Sequence, residues 1–394
     1  MKAEKERVND RLSYEYRGLG SSAPVSMDKD WGRWVIDYWR GRRVLVTGQT
    51  GFKGSWLCLW LQQLGAEVSA FALPPLADPS LYNLVAPWTG QEHATIDLRD
   101  GQAVHDFIQR VQPETVFHLA AQALVRASYR QPVETYAVNL LGTVHVLEAV
   151  RATSSVKAAV IVTTDKVYEN DDRGRAFLEN DRLGGKDPYS NSKACAELAT
   201  AAYRKTLVGK DGPAVATARA GNVVGGGDWS EDRLVPDLVR AFMARTPVSL
   251  RYPGAVRPWQ HVLDPLRGYL MLAERLLTQP EDAPSALNFG PDHRSVLTVA
   301  EMVESLGAAF DGALGWEQAP GEHPPEAPTL TLDSTLARQS LGWRPVLSMA
   351  DTARWTAEWY RNWRAGADPR ALVLEQIRRY QALADETGNR ETPP

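Results

Sequence analysis

The chain has 394 residues, a formal net charge of −4, and 44% hydrophobic against 23% charged residues. That length allows two domains, or one large α/β domain with a smaller lobe, and the composition is ordinary for a globular enzyme. The mild acidic balance excludes broad electrostatic binding to nucleic acid or to an anionic membrane, and no apolar run approaches the roughly 20 residues that cross a bilayer. The charged start, Met1-Lys2-Ala3-Glu4-Lys5-Glu6-Arg7, lacks the apolar centre of a secretory signal. Two cysteines, Cys58 and Cys195, cannot build a disulfide framework or a four-thiolate metal site. A cytoplasmic protein without a metal is expected.

Residues 1–38 are polar and irregular and are expected to be a partly disordered extension. The first strand is Arg43-Val44-Leu45-Val46-Thr47, ending at Gly48. A buried helix through Ser55–Leu61 follows a glycine turn, then a strand at Glu67–Phe71. A third strand, Ala94-Thr95-Ile96, ends at Asp97. Helical patterns at Val104–Val111 and Asn139–Arg151 flank a strand at Thr115–Leu119. Ala158–Thr163 and Ala214–Ala218 complete the strands, with the helix Tyr189–Leu198 between them. Strands alternating with helices predict an α/β fold of the Rossmann type, a doubly wound parallel sheet covered on both faces. Residues 39–220 are read as the dinucleotide-binding domain. Residues 221–394, where glycine and proline become frequent, are read mainly as a smaller substrate-binding lobe with some segments returning to the sheet.

Thr47-Gly48-Gln49-Thr50-Gly51-Phe52-Lys53-Gly54 joins the first strand to the first helix, with glycines spaced G-x-x-G-x-x-G. Gly48 and Gly51 allow a tight turn and close backbone approach, Gly54 lets helix pack on strand, and the helix N-terminus faces a pyrophosphate. The acidic residue that normally closes the second strand is replaced by Phe71-Ala72-Leu73, with Asp78 a little late and no arginine in its place. NAD is therefore expected over NADP. Asp97 could receive the adenine amino group or cap the helix that follows.

Tyr189 and Lys193, four residues apart, share one face of a helix. An ammonium beside a phenol is expected to favour the phenolate, which can take a hydroxyl proton while the same carbon is oxidised by a nicotinamide. Val162-Thr163-Thr164-Asp165-Lys166 ends a buried strand, where ligands of open α/β sheets sit, so Thr164 and Asp165 are expected to face the same crevice. His118 is expected to be packed, not catalytic.

The glycine turn, a Thr-Asp strand end and Tyr-x-x-x-Lys together resemble the extended short-chain dehydrogenase/reductase superfamily. Within it, Gly51-Phe52-Lys53-Gly54-Ser55-Trp56, Ala120–Arg126, Thr164-Asp165-Lys166, Asp187–Lys193, Arg219–Trp229 and Arg257–Val262 look like the CDP-glucose 4,6-dehydratases. The resemblance spans about Trp39 to the mid-350s. It implies NAD, a nucleotide-sugar substrate and a homodimer or homotetramer paired through residues 194–208 and about 138–151. It implies a cofactor site of Gly48, Thr50, Gly51, Phe52, Gly54, Asp97, Leu98, Ala120, Ala121, Gln122, Asn139, Thr163, Tyr189 and Lys193. The reaction it implies oxidises C4 with Tyr189 and Lys193, eliminates water across C5 and C6, and returns hydride to C6. Thr164 belongs to this catalytic set. Asp165 would protonate the departing hydroxyl, and Lys166 stands where sister enzymes carry a glutamate base. Lys166 serves as a base only if its pKa falls by several units; otherwise it is a proton donor or electrostatic stabiliser.

Arg233 and Arg257 suit a diphosphate, with Asn222 donating to phosphate or sugar. Arg126, Pro236, Arg251, His323 and Glu326 complete the implied substrate contacts, although the family's His-Pro-His-Glu is altered at Pro325. A nucleotide-sugar epimerase would share Tyr189, Lys193 and the glycine turn but would not need Asp165 and Lys166. A non-catalytic nucleotide-sugar binding module would not need the tuned phenol.

Overall fold

A computed structural model describes residues 38–390 apart from 87, 89–91, 171–173, 209–211, 293–295, 311–314 and 322–328. The expected N-terminal extension lies outside the described residues, except for Tyr38.

The strands β1 (Arg43–Thr47), β2 (Glu67–Ala72), β3 (Glu92–Thr95), β4 (Thr115–His118), β5 (Ala158–Val162) and β6 (Ala214–Ala220) join a seventh, Ala286–Phe289. Every pairing in this sheet is parallel, in the order Ala286–Phe289, β6, β5, β4, β1, β2, β3. The order reverses between β1 and β4, opening a crevice at the carboxyl ends of those strands. Thr47, the last residue of β1, pairs with Phe71 on one side and His118 on the other.

All five residues of β5 and all four of β4 are buried. Such continuous apolar runs mark strands covered on both faces. Along β1, Val44 and Val46 enter one core while Leu45 enters the other, as the two-residue period of a strand requires. Helices α1 (Phe52–Gln63) and α5 (Leu263–Thr278) belong to the first core. Helices α2 (Gly101–Val111) and α3 (Gly142–Ala152) belong to the second, and α4 (Pro188–Ala202) packs beside α3. Asp187 caps α4 by accepting from Ser190 N, and Pro188 opens its first turn.

The sequence places a helix over Asn139–Arg151. The structure starts it with a π-helical turn, Ala137–Leu141, that leads into α3. Beyond residue 220 the chain makes three two-stranded pairings, Val223–Val224 with Gln260–His261, Val256–Arg257 with Leu297–Thr298, and Val248–Leu250 with Trp316–Gln318. The same stretch returns α5 and the seventh strand to the main sheet. The helices Met349–Arg364 and Pro369–Arg390 then come back against α1, where Tyr380 meets Trp60 edge to face at 5.6 Å. Among the described residues, no helix is long and apolar enough to cross a membrane.

Candidate active site

The glycine turn sits at the β1 carboxyl end. Gly48 has φ +82°, and a Cβ there would meet the Ala120 backbone nitrogen at 2.7 Å. A Cβ on Gly54 would run into the Gly48 carbonyl. Gly51 differs: a Cβ there would touch only the Gly48 oxygen, at 3.4 Å, so one side of the turn is open. No side chain caps α1, which leaves its first N–H groups for an anion. A dinucleotide pyrophosphate fits this open, uncapped turn. Thr50 closes the turn from outside by donating to the Leu73 carbonyl at 2.9 Å. Phe52 packs against Gly225 from the substrate side.

Around that turn the other expected cofactor residues form a polar frame. Ala120 N donates to Thr47 Oγ1 at 3.1 Å, next to the half-buried Ala121. Asn139, on the π turn, accepts from Gln122 N at 2.8 Å and donates to Gln122 O and Ser192 Oγ. Asn139 therefore ties the β4 end to the middle of α4. His118 is packed as expected, between Thr47 Oγ1 and Thr143 Oγ1. Burial pushes its imidazole down to about 3, with Lys193 adding to the shift.

Asp97 and Leu98 lie after β3. The capping alternative for Asp97 is corrected: Asp100 caps α2, accepting from Ala103 N at 3.0 Å. Asp97 instead holds Arg99 through both carboxylate oxygens, and that pairing keeps its carboxyl below the usual range. Leu98 is buried, and its carbonyl meets His145 Nδ1 at 2.7 Å.

The catalytic candidates converge at the end of β5. Thr164 Oγ1 donates to Asp165 Oδ1 at 2.9 Å, and its hydroxyl faces the Tyr189 phenol. Asp165 is 1% exposed, and its Oδ2 has no hydrogen-bond partner among the described residues. That oxygen lies against Gly221, near Pro258. Burial raises the Asp165 carboxyl above the usual range, against the opposing charges of Lys166, Arg257 and Lys53 and the Thr164 bond. Lys166 is half-buried on the short turn Asp165–Val167.

The expected phenolate is not what this arrangement favours. Lys193 is buried and donates to the Val162 carbonyl at 2.8 Å. Burial lowers it to about 8, opposed by Glu197. Tyr189 is pushed up to about 12 by burial, with Arg233 and the Thr164 bond pulling the other way and Asp165 and Asp187 adding to the rise. The four-residue spacing does put both groups on one face. Lys193, however, is engaged by the strand end, and desolvation of the phenol outweighs it.

Of the implied substrate residues, Arg233 is half-buried at the start of the helix Leu234–Ala244 and acts on both Tyr189 and Lys53. Arg257 is buried, donates to the Val256 carbonyl and acts on Asp165. Arg126 pairs with Asp232 at 2.6 Å across the crevice mouth. The Asn222 carbonyl accepts from Gln260 N. Pro236 is buried inside its helix, and Arg251 lies beside Asp237 in the lobe. His323 and Glu326 lie outside the described residues.

Four further groups belong to the site. Lys53 donates to Tyr269 Oη at 3.3 Å and is lowered to about 7 by burial together with Arg233 and Lys193. Its place between Phe52 and Gly54 was the available signal, since a lysine in a phosphate-binding turn has chemistry to do. Tyr269 comes from α5 and left no signal in the sequence. Glu197 and Arg219 form a buried bidentate pair behind Lys193. Glu197 follows Lys193 by four residues, so its face was legible; its partner was not.

The sequence profile of the NAD dependent epimerase/dehydratase family matches residues 44–288. The CDP-glucose 4,6-dehydratase of Salmonella typhimurium is 42% identical over 351 residues, 88% of this chain and 98% of that protein. The UDP-glucose 4-epimerase of Thermus thermophilus, solved in complex with NAD, superposes with a TM-score of 0.70. It is 28% identical and covers 81% of this chain and 99% of its own. The dTDP-glucose 4,6-dehydratase of Bacillus anthracis, in complex with NAD, shares the fold, with a TM-score of 0.69 at 23% identity over 84% of this chain and all of its own.

Proposed function

Because this chain belongs to the NAD dependent epimerase/dehydratase family, we propose that it removes water from a nucleotide-activated hexose, converting CDP-D-glucose to CDP-4-keto-6-deoxy-D-glucose. The observation that carries the dehydratase reading is Asp165: a buried carboxyl with raised proton affinity and one oxygen without a partner among the described residues, bonded to the Thr164 hydroxyl that faces Tyr189. A C4 epimerase needs no such acid.

NAD, when bound, would supply the redox chemistry, taking hydride from C4 and giving it back at C6. The open turn at Gly51 and the N-terminus of α1 hold its pyrophosphate. Tyr189 Oη takes the C4 hydroxyl proton in its charged form, which Arg233 favours against the burial of the phenol. The resulting ketone acidifies C5–H. Lys166, next to Asp165 in the chain, takes the C5 proton while Asp165 gives its own to the leaving C6 hydroxyl. This leaves a carboxylate beside an ammonium, an oppositely charged pair in a dry site. Lys166 then returns its proton to C5. Over one turnover Tyr189 gains the proton that Asp165 loses, and the Thr164 hydroxyl between them is the path that restores both.

The test is incubation with NAD and a panel of nucleotide hexoses, followed by mass spectrometry and alkaline absorbance. Loss of one water from CDP-glucose, abolished in Tyr189→Phe and reduced about 10²–10⁴-fold in Asp165→Asn, is the expected result. Isomerisation without change of mass would replace this reading with an epimerase.

The chain is further proposed to pair through α3, α4 and their flanking turns. Leu141, Leu198 and Leu207 are 54%, 58% and 50% exposed there, large apolar side chains turned to water. Leu198→Glu is expected to halve the mass measured by light scattering; an unchanged mass refutes this interface. The two thiols are free, which suits a reducing cytoplasm. Recovery of the protein in the membrane or secreted fraction would contradict that placement.

A further inference from the structure

Behind the catalytic face of α4 lies a second polar layer that touches neither the crevice nor solvent. Glu197 accepts four hydrogen bonds: Thr163 Oγ1 at 2.5 Å and Arg219 Nε at 2.9 Å on Oε1, and Thr217 Oγ1 at 2.7 Å and Arg219 Nη2 at 2.8 Å on Oε2. Arg219 uses its remaining nitrogen on Tyr168 Oη and the Glu179 carbonyl. Both charged groups are buried.

The spacing explains what this layer can do. Tyr189, Lys193 and Glu197 are i, i+4 and i+8 on α4, and each grips the end of β5. Tyr189 faces Thr164, Lys193 bonds the Val162 carbonyl, and Glu197 bonds Thr163. Three helix positions therefore hold three successive strand-end residues. A slide of α4 along its axis would break all three grips together. A buried carboxylate with a bidentate arginine is a fixed anchor, because removing either partner strands the other charge in a dry interior.

We propose that Glu197, locked to Arg219, is a positioning residue for the reaction: it holds Tyr189 opposite Thr164 and keeps Lys193 an ammonium. The proposal rests on the dehydratase reading only for the step it serves. The titratable groups facing Lys193 are Glu197 from its own helix, Lys53 from α1 and His118 from β4. Those facing Tyr189 are Arg233, Asp165, Asp187 and, from α5, Tyr269. Among the described groups facing Lys193, Glu197 alone is anionic and opposes the burial that lowers it.

The experiment measures NADH affinity by fluorescence, and kcat and KM for CDP-glucose, from about pH 6 to 10. It compares the native chain, Glu197→Gln, Glu197→Asp and the double variant Glu197→Gln/Arg219→Gln. In Glu197→Gln the alkaline fall in NADH affinity and in kcat should move about one unit to lower pH. Its kcat at pH 8 should fall about tenfold or more, with KM changed less than about threefold. Glu197→Asp keeps the charge, so its alkaline limb should stay in place while kcat falls through the shortened reach. If Glu197→Gln fails to fold, the double variant leaves no lone buried charge and should show the same limb shift. An alkaline limb that stays put in the folded Gln variants overturns the proposal, as does a kcat loss that merely follows the folded fraction. A shifted NADH limb in a protein that never dehydrates CDP-glucose would uphold the anchor and defeat the dehydratase reading.

Discussion

At Asp165 the requirements of folding and of chemistry oppose each other. The carboxyl is buried, it makes a single hydrogen bond among the described residues, to Thr164, and its proton affinity is raised above the usual carboxylate range. A group whose folded pKa is raised binds its proton more tightly in the native state than in the unfolded chain. Its contribution to stability is therefore full below the unfolded pKa and declines as pH climbs toward the raised value. Asp165→Asn removes that charge while keeping the shape. At pH 8 it is expected to raise the melting temperature by roughly 2–4 °C for a gain of about 1 kcal/mol, while abolishing most dehydration. Calorimetry of the two proteins at pH 5 and pH 8 checks the sign, because the gain should shrink at the lower pH. A variant less stable than the native chain at pH 8 would show that Asp165 is held for structure and not for its proton.

One level up, the first turn of α1 is the element proposed to hold the cofactor. The Gly54 Cα faces the Gly48 carbonyl so closely that a methyl group there must push the helix off the turn. Gly54→Ala is expected to weaken NADH binding about tenfold or more without unfolding the sheet, read by fluorescence titration beside circular dichroism. Undiminished affinity would mean that the helix end does not hold the pyrophosphate. This turn, the strands β1, β4 and β5 and the Tyr189–Lys193 helix were all legible in the sequence, because each rests on local pattern: buried apolar runs, glycine spacing and i, i+4 geometry. What hid from it was set by long-range partners. Whether Lys193 turns to Tyr189 or to the Val162 carbonyl depends on how α4 docks on β5. Whether Asp97 or Asp100 caps α2 depends on Arg99 claiming Asp97. The π turn at Asn139 is also a tertiary matter, since its side chain serves Gln122 and Ser192 on two other elements. Tyr269 enters the site on a helix with no motif to announce it.

For the molecule as a whole, the C-terminal helices complete the core of the dinucleotide half. Val373, Ile377 and Tyr380 on the last helix are fully buried, and Tyr380 Oη donates to Asp264 Oδ1 at 2.8 Å. Deleting residues from Ala367 onward strips the cover from Trp60 and leaves Asp264 short of a donor. With three large side chains lost from the core at about 2–5 kcal/mol each, the truncated chain is expected to be insoluble or molten; a cooperative melt near that of the full chain would refute this. One contact ties α1 to the later part of the chain more directly: the Trp56 indole donates to the Gly226 carbonyl at 3.1 Å in the loop Gly225-Gly226-Gly227. The Trp359 ring fills the space a Cβ on Gly226 would need. The chain thus carries a built-in optical gauge at its seam. Any parting of α1 from that loop would wet Trp56 and Trp359 and redden their share of the emission of the 13 tryptophans, so that movement can be timed in the native protein without attaching a dye.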